Sequence, residues 1–197
     1  MSAIGVKKYS LPTLSKSEVL RYAKAGGKED ITEALGALIS EAMPLFDPSV
    51  VYSVFELKTD GDTLLIGEVG IRSLSLKKAL EGCTRVIVFV AGVGAKIDRM
   101  VNKYTKISPL RALFSNAIGA AGVEELCDMF CRDAEREYGK VTRRFSPGYG
   151  DLPLDLQKAV FELLNPEKHI GITLTDGMLM TPMKSVSAFI GIKRTEK

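Results

Sequence analysis

Two Asp-Gly dipeptides constrain the fold of this 197-residue chain more than any other feature. Asp60-Gly61 and Asp176-Gly177 each lie between two segments of strand-like composition. The flanking segments are Val50–Lys58 and Thr63–Ile66 for the first dipeptide, and Ile172–Thr175 and Met178–Thr181 for the second. Asp-Gly in this context indicates a β-hairpin, in which the paired strands run antiparallel. Helical patterns are mixed with these hairpins without a βαβαβ rhythm, so the sequence predicts an α+β fold with a largely antiparallel twisted sheet.

The other elements follow from capping signals and apolar periodicity. The first predicted helix begins at the capping box of Ser15, continues to about Ala25 and is ended by Gly26-Gly27. The other predicted helices are Glu29–Met43, Leu76–Leu80, Ala95–Lys106, Leu110–Tyr138 and Asp155–Leu164. Further extended segments are Arg85–Val90, Val141–Phe145 and Ser185–Ile192, with a turn-rich segment at 146–153. The chain shows no linker and no internal repeat, so residues 1–197 are expected to form a single domain.

The side-chain inventory excludes several classes of function. One histidine rules out a multi-histidine metal site, and it leaves a single imidazole for a nucleophilic triad. A net charge of +3 is too small to indicate nucleic acid as the main partner. No secretory signal, membrane span or disulfide framework is present, which favours the cytoplasm, and Cys127 and Cys131 are interpreted as packing thiols. A binding module remains, or an enzyme whose chemistry is carried by a cofactor.

Two motifs have plain structural alternatives. Gly92-Val93-Gly94 follows the strand Arg85–Val90 as a dinucleotide-binding fingerprint would, but Ile97 occupies the position of the third glycine. A tight turn from strand to helix is the favoured interpretation. His169 has no second histidine or ligand pair beside it, so a structural or surface role is favoured.

Two acidic residues interrupt an apolar stripe on the predicted helix Leu110–Tyr138. The apolar members of the stripe are Leu110, Leu113, Phe114, Ala117 and Ala121, and Glu124 and Asp128 continue it. Small residues at 117 and 119–122 make the middle of the helix thin, so that another group can approach closely. A half-buried carboxylate needs a cationic partner from the chain or from a ligand. Alternatively, the stripe turns to solvent at this point.

The segment after this helix combines residue types that recognise small polar ligands. Arg143 and Arg144 can each bind a carboxylate through paired hydrogen bonds. Pro147-Gly148 permits a sharp turn that exposes backbone groups, and Tyr149 offers a flat face for stacking. An ordinary loop with Tyr149 packed on the core is the alternative. The three methionines within Met178–Met183 are either core filler or an adaptable contact surface.

Taken in order, these motifs resemble the activation domain of cobalamin-dependent methionine synthase. The matching segments are Ala117–Glu124, Arg144–Gly150, Lys158, Phe161–Leu164, Glu167–Thr175 and Met180–Ser187. Residues 91–192 carry the motifs, and residues 1–90 match only loosely. The resemblance implies an activation-domain-like fold that binds S-adenosylmethionine. It also implies a role in methionine biosynthesis, the reductive methylation of cob(II)alamin to methylcobalamin with an electron from a flavodoxin- or ferredoxin-type donor.

The resemblance also assigns site residues by position. Arg144 would hold the methionyl carboxylate, and Glu124 would face the cationic amino and sulfonium end. Residues lining the ligand would be Ser146, Gly148 and Tyr149, and residues facing cobalamin would be Met180, Pro182, Lys184 and Val186. No catalytic acid or base is assigned, because methyl transfer to reduced cobalt depends on orientation.

The chain departs from the family in ways that bear on its partners. The cobalamin-ligand pattern Asp-x-His-x-x-Gly is absent around His169, because Glu167 and Ile172 occupy its first and last positions. Cobalamin is therefore expected on a separate methionine synthase chain. The family's N-terminal ligand-binding Asp and C-terminal Tyr have no match in this sequence. The alternative function is a non-catalytic docking or assembly factor for a corrinoid protein.

Overall fold

The computed structural model describes residues 3–24 and 29–194 of the chain, so the predicted stop at Gly26-Gly27 lies outside the described residues. The helices are α1 (Lys16–Ala23), α2 (Glu29–Ala42), α3 (Leu74–Ala79), α4 (Ala95–Thr105), α5 (Pro109–Tyr138), α6 (Gln157–Leu164) and α7 (Pro166–Ile170). The strands are β1 (Gly5–Lys8), β2 (Ser49–Asp60), β3 (Thr63–Ile66), β4 (Val69–Arg72), β5 (Cys83–Gly92), β6 (Thr173–Leu174), β7 (Met180–Thr181) and β8 (Ser185–Lys193). Among the described residues, no helix combines the length and the apolar composition that a membrane span requires.

The strand pairings are antiparallel, which confirms the predicted class of fold. The main sheet has the order β4-β3-β2-β5-β8, with β1 paired to the first part of β2, and β6 and β7 form a separate ribbon. At the centre of the sheet, Ser49 of β2 lies opposite Gly92 of β5, and Glu56 lies opposite Arg85. The strand β8 ends this order, beside β5.

Both faces of the central strands are buried. Ile87, Phe89 and Ala91 of β5 pack on one side in a cluster with α1, α2, α4 and α5. The alternate residues Val86, Val88 and Val90 pack on the other side in a cluster with α3 and α6. Because a strand covered on both faces has no polar side, β5 reads in the sequence as a continuous apolar run.

Sequence patterns missed three short elements, β1, β4 and α7. The strands β1 and β4 have four residues each, and Gly70 lies inside β4, where a glycine weakens the strand signal. The helix α7 has five residues, too few to show a helical period. It begins at Pro166, and the Asn165 side chain accepts a hydrogen bond from the Lys168 N–H.

The second hairpin is present, but its predicted turn is wrong by one residue. Thr173 pairs with Thr181, and the Thr175 N–H donates to the Leu179 carbonyl across a loop of residues 176–178. Met178 has a φ of +62°, so it takes the left-handed conformation that was expected of the Asp-Gly turn. Three-residue hairpin loops place their last residue in this conformation.

The segment Gly92-Val93-Gly94 is a tight strand-to-helix turn, as favoured from the sequence. The Val93 N–H donates to the Lys184 carbonyl, and the Val93 carbonyl accepts from the Asp47 N–H. Because β5 runs antiparallel to both of its neighbours, this turn is not part of the parallel βαβ unit that a dinucleotide fingerprint requires.

Candidate functional site

A pocket of about 340 Å³ opens beside the first residues of β8. The rest of this strand edge is covered by the segment that follows α5. Backbone hydrogen bonds join Thr142 to Gly191 and Phe145 to Phe189. Beyond Phe145 this segment no longer follows the strand, and Ser146 and Ser187 both line the pocket.

The pocket gathers six of the nine predicted site residues: Glu124, Arg144, Ser146, Tyr149, Met180 and Val186. The other three, Gly148, Pro182 and Lys184, lie outside its lining. Pro182 is buried, and the Lys184 amine donates to the Asn116 side chain over 2.6 Å. Burial also lowers the pKa of Lys184.

Glu124 and Arg144 of the lining, together with Asp128 beside them, form an ionic cluster that we call the charged wall. Glu124 and Asp128 lie one turn apart on α5, and the guanidinium of Arg144 binds both, with Nη2 on Glu124 and Nη1 on Asp128. Burial acts to lower the pKa of Arg144, but the Asp128 hydrogen bond and the nearby carboxylates raise it above its ordinary value. The cation that the sequence required beside Glu124 is therefore Arg144 of the same chain.

The thin middle of α5 accommodates the chain's own side chains. A Cβ atom at Gly122 would lie 2.5 Å from the Phe46 ring, and one at Gly119 would lie 2.7 Å from Ile97. These close approaches set α5 against α4 and the segment before β2. They fix where Glu124 stands relative to the sheet.

The loop that carries Tyr149 is fastened at its far end by Asp151. The Ser73 hydroxyl donates to this carboxylate over 2.6 Å, and the N–H groups of Leu74 and Ser75 donate over 2.7 and 3.0 Å. These hydrogen bonds, the one from Ser73 above all, lower the pKa of Asp151 below its usual range. Sequence reasoning gave Asp151 no role, because its partners lie more than 70 residues away.

Within this loop the backbone is tightly turned and Tyr149 points to solvent. Gly148 has a φ of +90°, and its N–H donates to the Leu152 carbonyl over 2.9 Å. Tyr149 is 67% exposed while also lining the pocket, so the alternative in which it packs on the core is wrong.

The lining also contains polar side chains without charge, among them Ser146, Gln157 and Ser187, and we call this group the uncharged wall. Gln157 is the first residue of α6, and Ser187 lies in β8. Both are buried, and the Gln157 Oε1 and Ser187 Oγ atoms have no hydrogen-bond partner among the described residues. Neither was predicted as a site residue, since burial without a partner leaves no local signal in a sequence.

The methionines of the segment Met178–Met183 differ in exposure. Met180 is half-buried and lines the pocket, whereas Met183 is 73% exposed. Leu179 is exposed as well, so two apolar side chains of this segment lie on the surface outside the pocket lining. The Met183 N–H donates to Asp98 on the first turn of α4, which holds this segment against the helix.

The remaining sequence candidates lie away from the lining of the pocket. His169 is exposed in the last turn of α7. Cys127 is buried and Cys131 half-buried, both are free, and burial raises the pKa of each thiol. Both thiols are therefore neutral at pH 7, as expected for packing residues.

Comparisons with known proteins support the resemblance drawn from the motifs. Residues 131–196 match the family model described as "Vitamin B12 dependent methionine synthase, activation domain". The chain is also similar to a solved structure, "Crystal Structure of the MetH Reactivation Domain bound to AdoHcy", with a TM-score of 0.74 and 14% identity. That match covers 100% of this chain and 80% of the other. The comparison with curated proteins finds no match.

These findings confirm the suspected family resemblance. The C-terminal third matches the activation-domain family model, and the fold of the chain is similar to that of a solved reactivation domain. The matched third includes the loop from Arg144 to Tyr149 and all of β8, whereas Glu124 precedes it.

Proposed function

From this activation-domain fold and sequence, we propose that the chain binds S-adenosylmethionine in the pocket beside β8 and presents its methyl group to cobalamin. The function is the reductive methylation of cob(II)alamin to methylcobalamin. Cobalamin is carried by a separate cobalamin-binding methionine synthase in the cytoplasm. A flavodoxin- or ferredoxin-type protein donates the electron.

The charged wall is the observation that carries this proposal. The amino-acid end of S-adenosylmethionine has a carboxylate, an ammonium group and a sulfonium. A guanidinium has five N–H donors, and Glu124 and Asp128 are bound through one Arg144 nitrogen each. Arg144 therefore keeps N–H groups for the ligand carboxylate, while Glu124 faces the cationic groups.

The loop after Arg144 supplies shape and contact area. Tyr149 is exposed at the mouth of the pocket, where its ring can stack on a planar group. Gly148 contributes through the turn that its positive φ permits, since its N–H is already donated within the loop. Ser146 brings a hydroxyl to the lining.

Apolar side chains of the lining and of the segment around Met180 fit a large planar cofactor carried by another protein. Met180 and Val186 line the pocket, and Leu179 and Met183, which are close to Met180 in sequence, are exposed apolar side chains. Cobalamin bound there supplies the reduced cobalt nucleophile. The chain's own residues bind and orient the sulfonium, which is catalysis by proximity and needs no protein acid or base.

Calorimetric titration with S-adenosylmethionine and S-adenosylhomocysteine tests the binding site. We expect the wild-type chain to bind both and the Arg144→Met variant to lose at least tenfold in affinity, as for a charge-assisted hydrogen bond. Arg143→Met is the matched control, because Arg143 is exposed and does not line the pocket. Absence of binding to the wild-type chain, or equal losses in both variants, contradicts the assignment.

A second experiment tests the reaction. The chain is mixed with a cobalamin-loaded methionine synthase, a reductant and S-adenosylmethionine, and methylcobalamin is followed by its absorption spectrum. Docking without a spectral change that depends on S-adenosylmethionine supports the alternative, a non-catalytic docking or assembly factor. The exposed pair Leu179 and Met183 is the feature that favours this alternative.

A further inference from the structure

The uncharged wall contains two buried oxygens that the fold does not satisfy. Gln157 is 5% exposed and Ser187 2% exposed, and both line the pocket. Gln157 Oε1 and Ser187 Oγ have no hydrogen-bond partner in the described part of the chain. Buried side-chain oxygens are nearly always hydrogen-bonded in proteins, because an unpaired one loses its bonds to water without replacement.

The backbone of β8 adds polar groups to the same place. Phe189, Gly191 and Lys193 use their backbone groups to bond to the segment that runs along the strand. Since backbone N–H and C=O groups alternate in direction along a strand, those of Ser187 point to the same side as those of Phe189. The pocket therefore meets an amide oxygen, a hydroxyl and a strand edge within one wall.

The chemistry of this wall differs from that of the charged wall. Glu124 and Arg144 suit the charged amino-acid end of a ligand, whereas a carboxamide oxygen and a hydroxyl suit neutral donors. The pocket lining carries no ionised side chain besides Glu124 and Arg144 among the described residues. A nucleoside is neutral and carries both N–H and O–H donors on a planar body.

We propose that Gln157 and Ser187 form a nucleoside subsite, in which Gln157 Oε1 accepts from an N–H or O–H of adenosine and the Ser187 hydroxyl bonds to the same moiety. This inference rests on the proposed function, which places the amino-acid end of the ligand at Arg144. It assigns the ligand a direction along the pocket, from the charged wall to the uncharged wall. The volume of the pocket lies in the range of small-molecule sites.

The test separates the two ends of the ligand with two probes. S-adenosylhomocysteine spans both walls, and adenosine reaches the uncharged wall alone. We expect Gln157→Met to weaken both probes about tenfold, because the variant loses one hydrogen bond in a buried site. Arg144→Met is expected to weaken the binding of S-adenosylhomocysteine. Its affinity for adenosine, measured by NMR titration, is expected to be unchanged.

A third probe identifies the donor on the nucleoside. S-inosylhomocysteine carries an oxygen in place of the exocyclic amine of adenine. If Gln157 binds that amine, the analogue binds the wild-type chain about tenfold more weakly than S-adenosylhomocysteine and is insensitive to Gln157→Met. If Gln157 binds a ribose hydroxyl, the affinities of S-adenosylhomocysteine and S-inosylhomocysteine fall equally in Gln157→Met.

A serine pair provides a control that does not depend on Gln157. Ser53 is also buried in a central strand, but its hydroxyl donates to the Ala3 carbonyl over 2.9 Å. Without ligand, Ser53→Ala is expected to lower the melting temperature, whereas Ser187→Ala leaves it unchanged or raises it, because Ser187 loses no partner. With ligand, Ser187→Ala weakens binding several-fold and Ser53→Ala does not.

The outcomes distinguish this inference from the proposed function. If neither S-adenosylmethionine nor S-adenosylhomocysteine binds the wild-type chain, the proposed function fails. If S-adenosylhomocysteine binds and both Gln157→Met and Ser187→Ala leave its affinity unchanged, the subsite is wrong and water satisfies these atoms. A fall in the melting temperature of Ser187→Ala equal to that of Ser53→Ala also overturns it.

Discussion

The charged wall pairs its ionised side chains with one another, whereas the uncharged wall leaves two buried oxygens without a partner. The difference follows from the cost of burial. An unpaired charge in a half-buried site is far more destabilising than an unpaired amide or hydroxyl, which costs about 1–3 kcal/mol. The charged wall is therefore assembled by the fold itself, and the uncharged wall keeps its hydrogen-bonding capacity for a ligand.

The largest effect is expected from the carboxylate that faces the pocket. Glu124→Gln removes the negative charge opposite the ligand's cationic groups, and it weakens the hold on Arg144. We expect the affinity for S-adenosylmethionine to fall about 30-fold at pH 7, within the range of charge-assisted hydrogen bonds. Calorimetric titration measures it.

Glu125→Gln is the matched control for this change. Glu125 is adjacent on α5, its side chain is less exposed than that of Glu124, and its partner is Arg132 rather than Arg144. An equal loss of affinity in both variants would show that the charge of α5 acts at a distance. The distinction between the two walls would then fail.

The second-largest loss of ligand affinity is expected when the loop from Arg144 to Asp151 is no longer fastened at its end. Asp151→Asn weakens the three hydrogen bonds that fasten this loop to the first turn of α3. Because Tyr149 and Ser146 then lose their fixed positions, we expect about tenfold weaker ligand binding. Asp155→Asn, in the single helical turn before α6, is the control and is expected to leave the affinity unchanged.

The same variant has a pH signature. The folded-state pKa of Asp151 lies below its ordinary value of 3.8, so the charged carboxylate stabilises the folded chain. This contribution is fully present above the unfolded-state pKa, and it is lost as the pH falls through the folded-state pKa. The wild-type chain should therefore melt above Asp151→Asn at pH 5–7, and the difference should shrink below pH 4. A difference in melting temperature that grows in acid would contradict a stabilising role for the ionised Asp151 carboxylate.

The third effect distinguishes the two carboxylates of the charged wall. Asp128 is more exposed than Glu124 and does not line the pocket, so it acts through the position of Arg144. We expect Asp128→Asn to weaken S-adenosylmethionine about threefold, as for an exposed ion pair. S-adenosylhomocysteine lacks the sulfonium charge and should lose less. An equal or larger loss than in Glu124→Gln would assign the ligand cation to Asp128 instead.

The sequence predicted what depends on neighbouring residues in the chain. The Ser108 cap and Pro109 located the start of α5, because both signals act within one helical turn. Helical spacing placed Glu124 and Asp128 on one face and required a cation beside them. Helical spacing could not show whether this cation belongs to a ligand or to the chain, because Arg144 lies 20 residues from Glu124.

The rest of the site depends on tertiary structure. The orphaned oxygens of Gln157 and Ser187 arise where α6 and β8 meet the loop after α5, and no pattern in either segment marks them. The exposure of Tyr149 has the same origin, since an aromatic residue in a loop is compatible with either a packed or an open position. The hydrogen bonds of Asp151 join segments that are distant in sequence, so they too leave no local pattern.

The smallest effect on the ligand is expected outside both walls. Met183→Ser replaces a side chain that is 73% exposed and does not line the pocket, so ligand affinity and melting temperature should not change. Met183 is apolar, as is the exposed Leu179 of the same segment, and burial of these side chains against a cobalamin-carrying partner would stabilise the complex. Association with cobalamin-loaded methionine synthase, measured by surface plasmon resonance, should weaken several-fold.

Ile107→Ser, at an exposed apolar residue between α4 and α5, is the control. Equal weakening by both variants would remove Leu179 and Met183 from the docking face and leave the two walls as the functional part of the site.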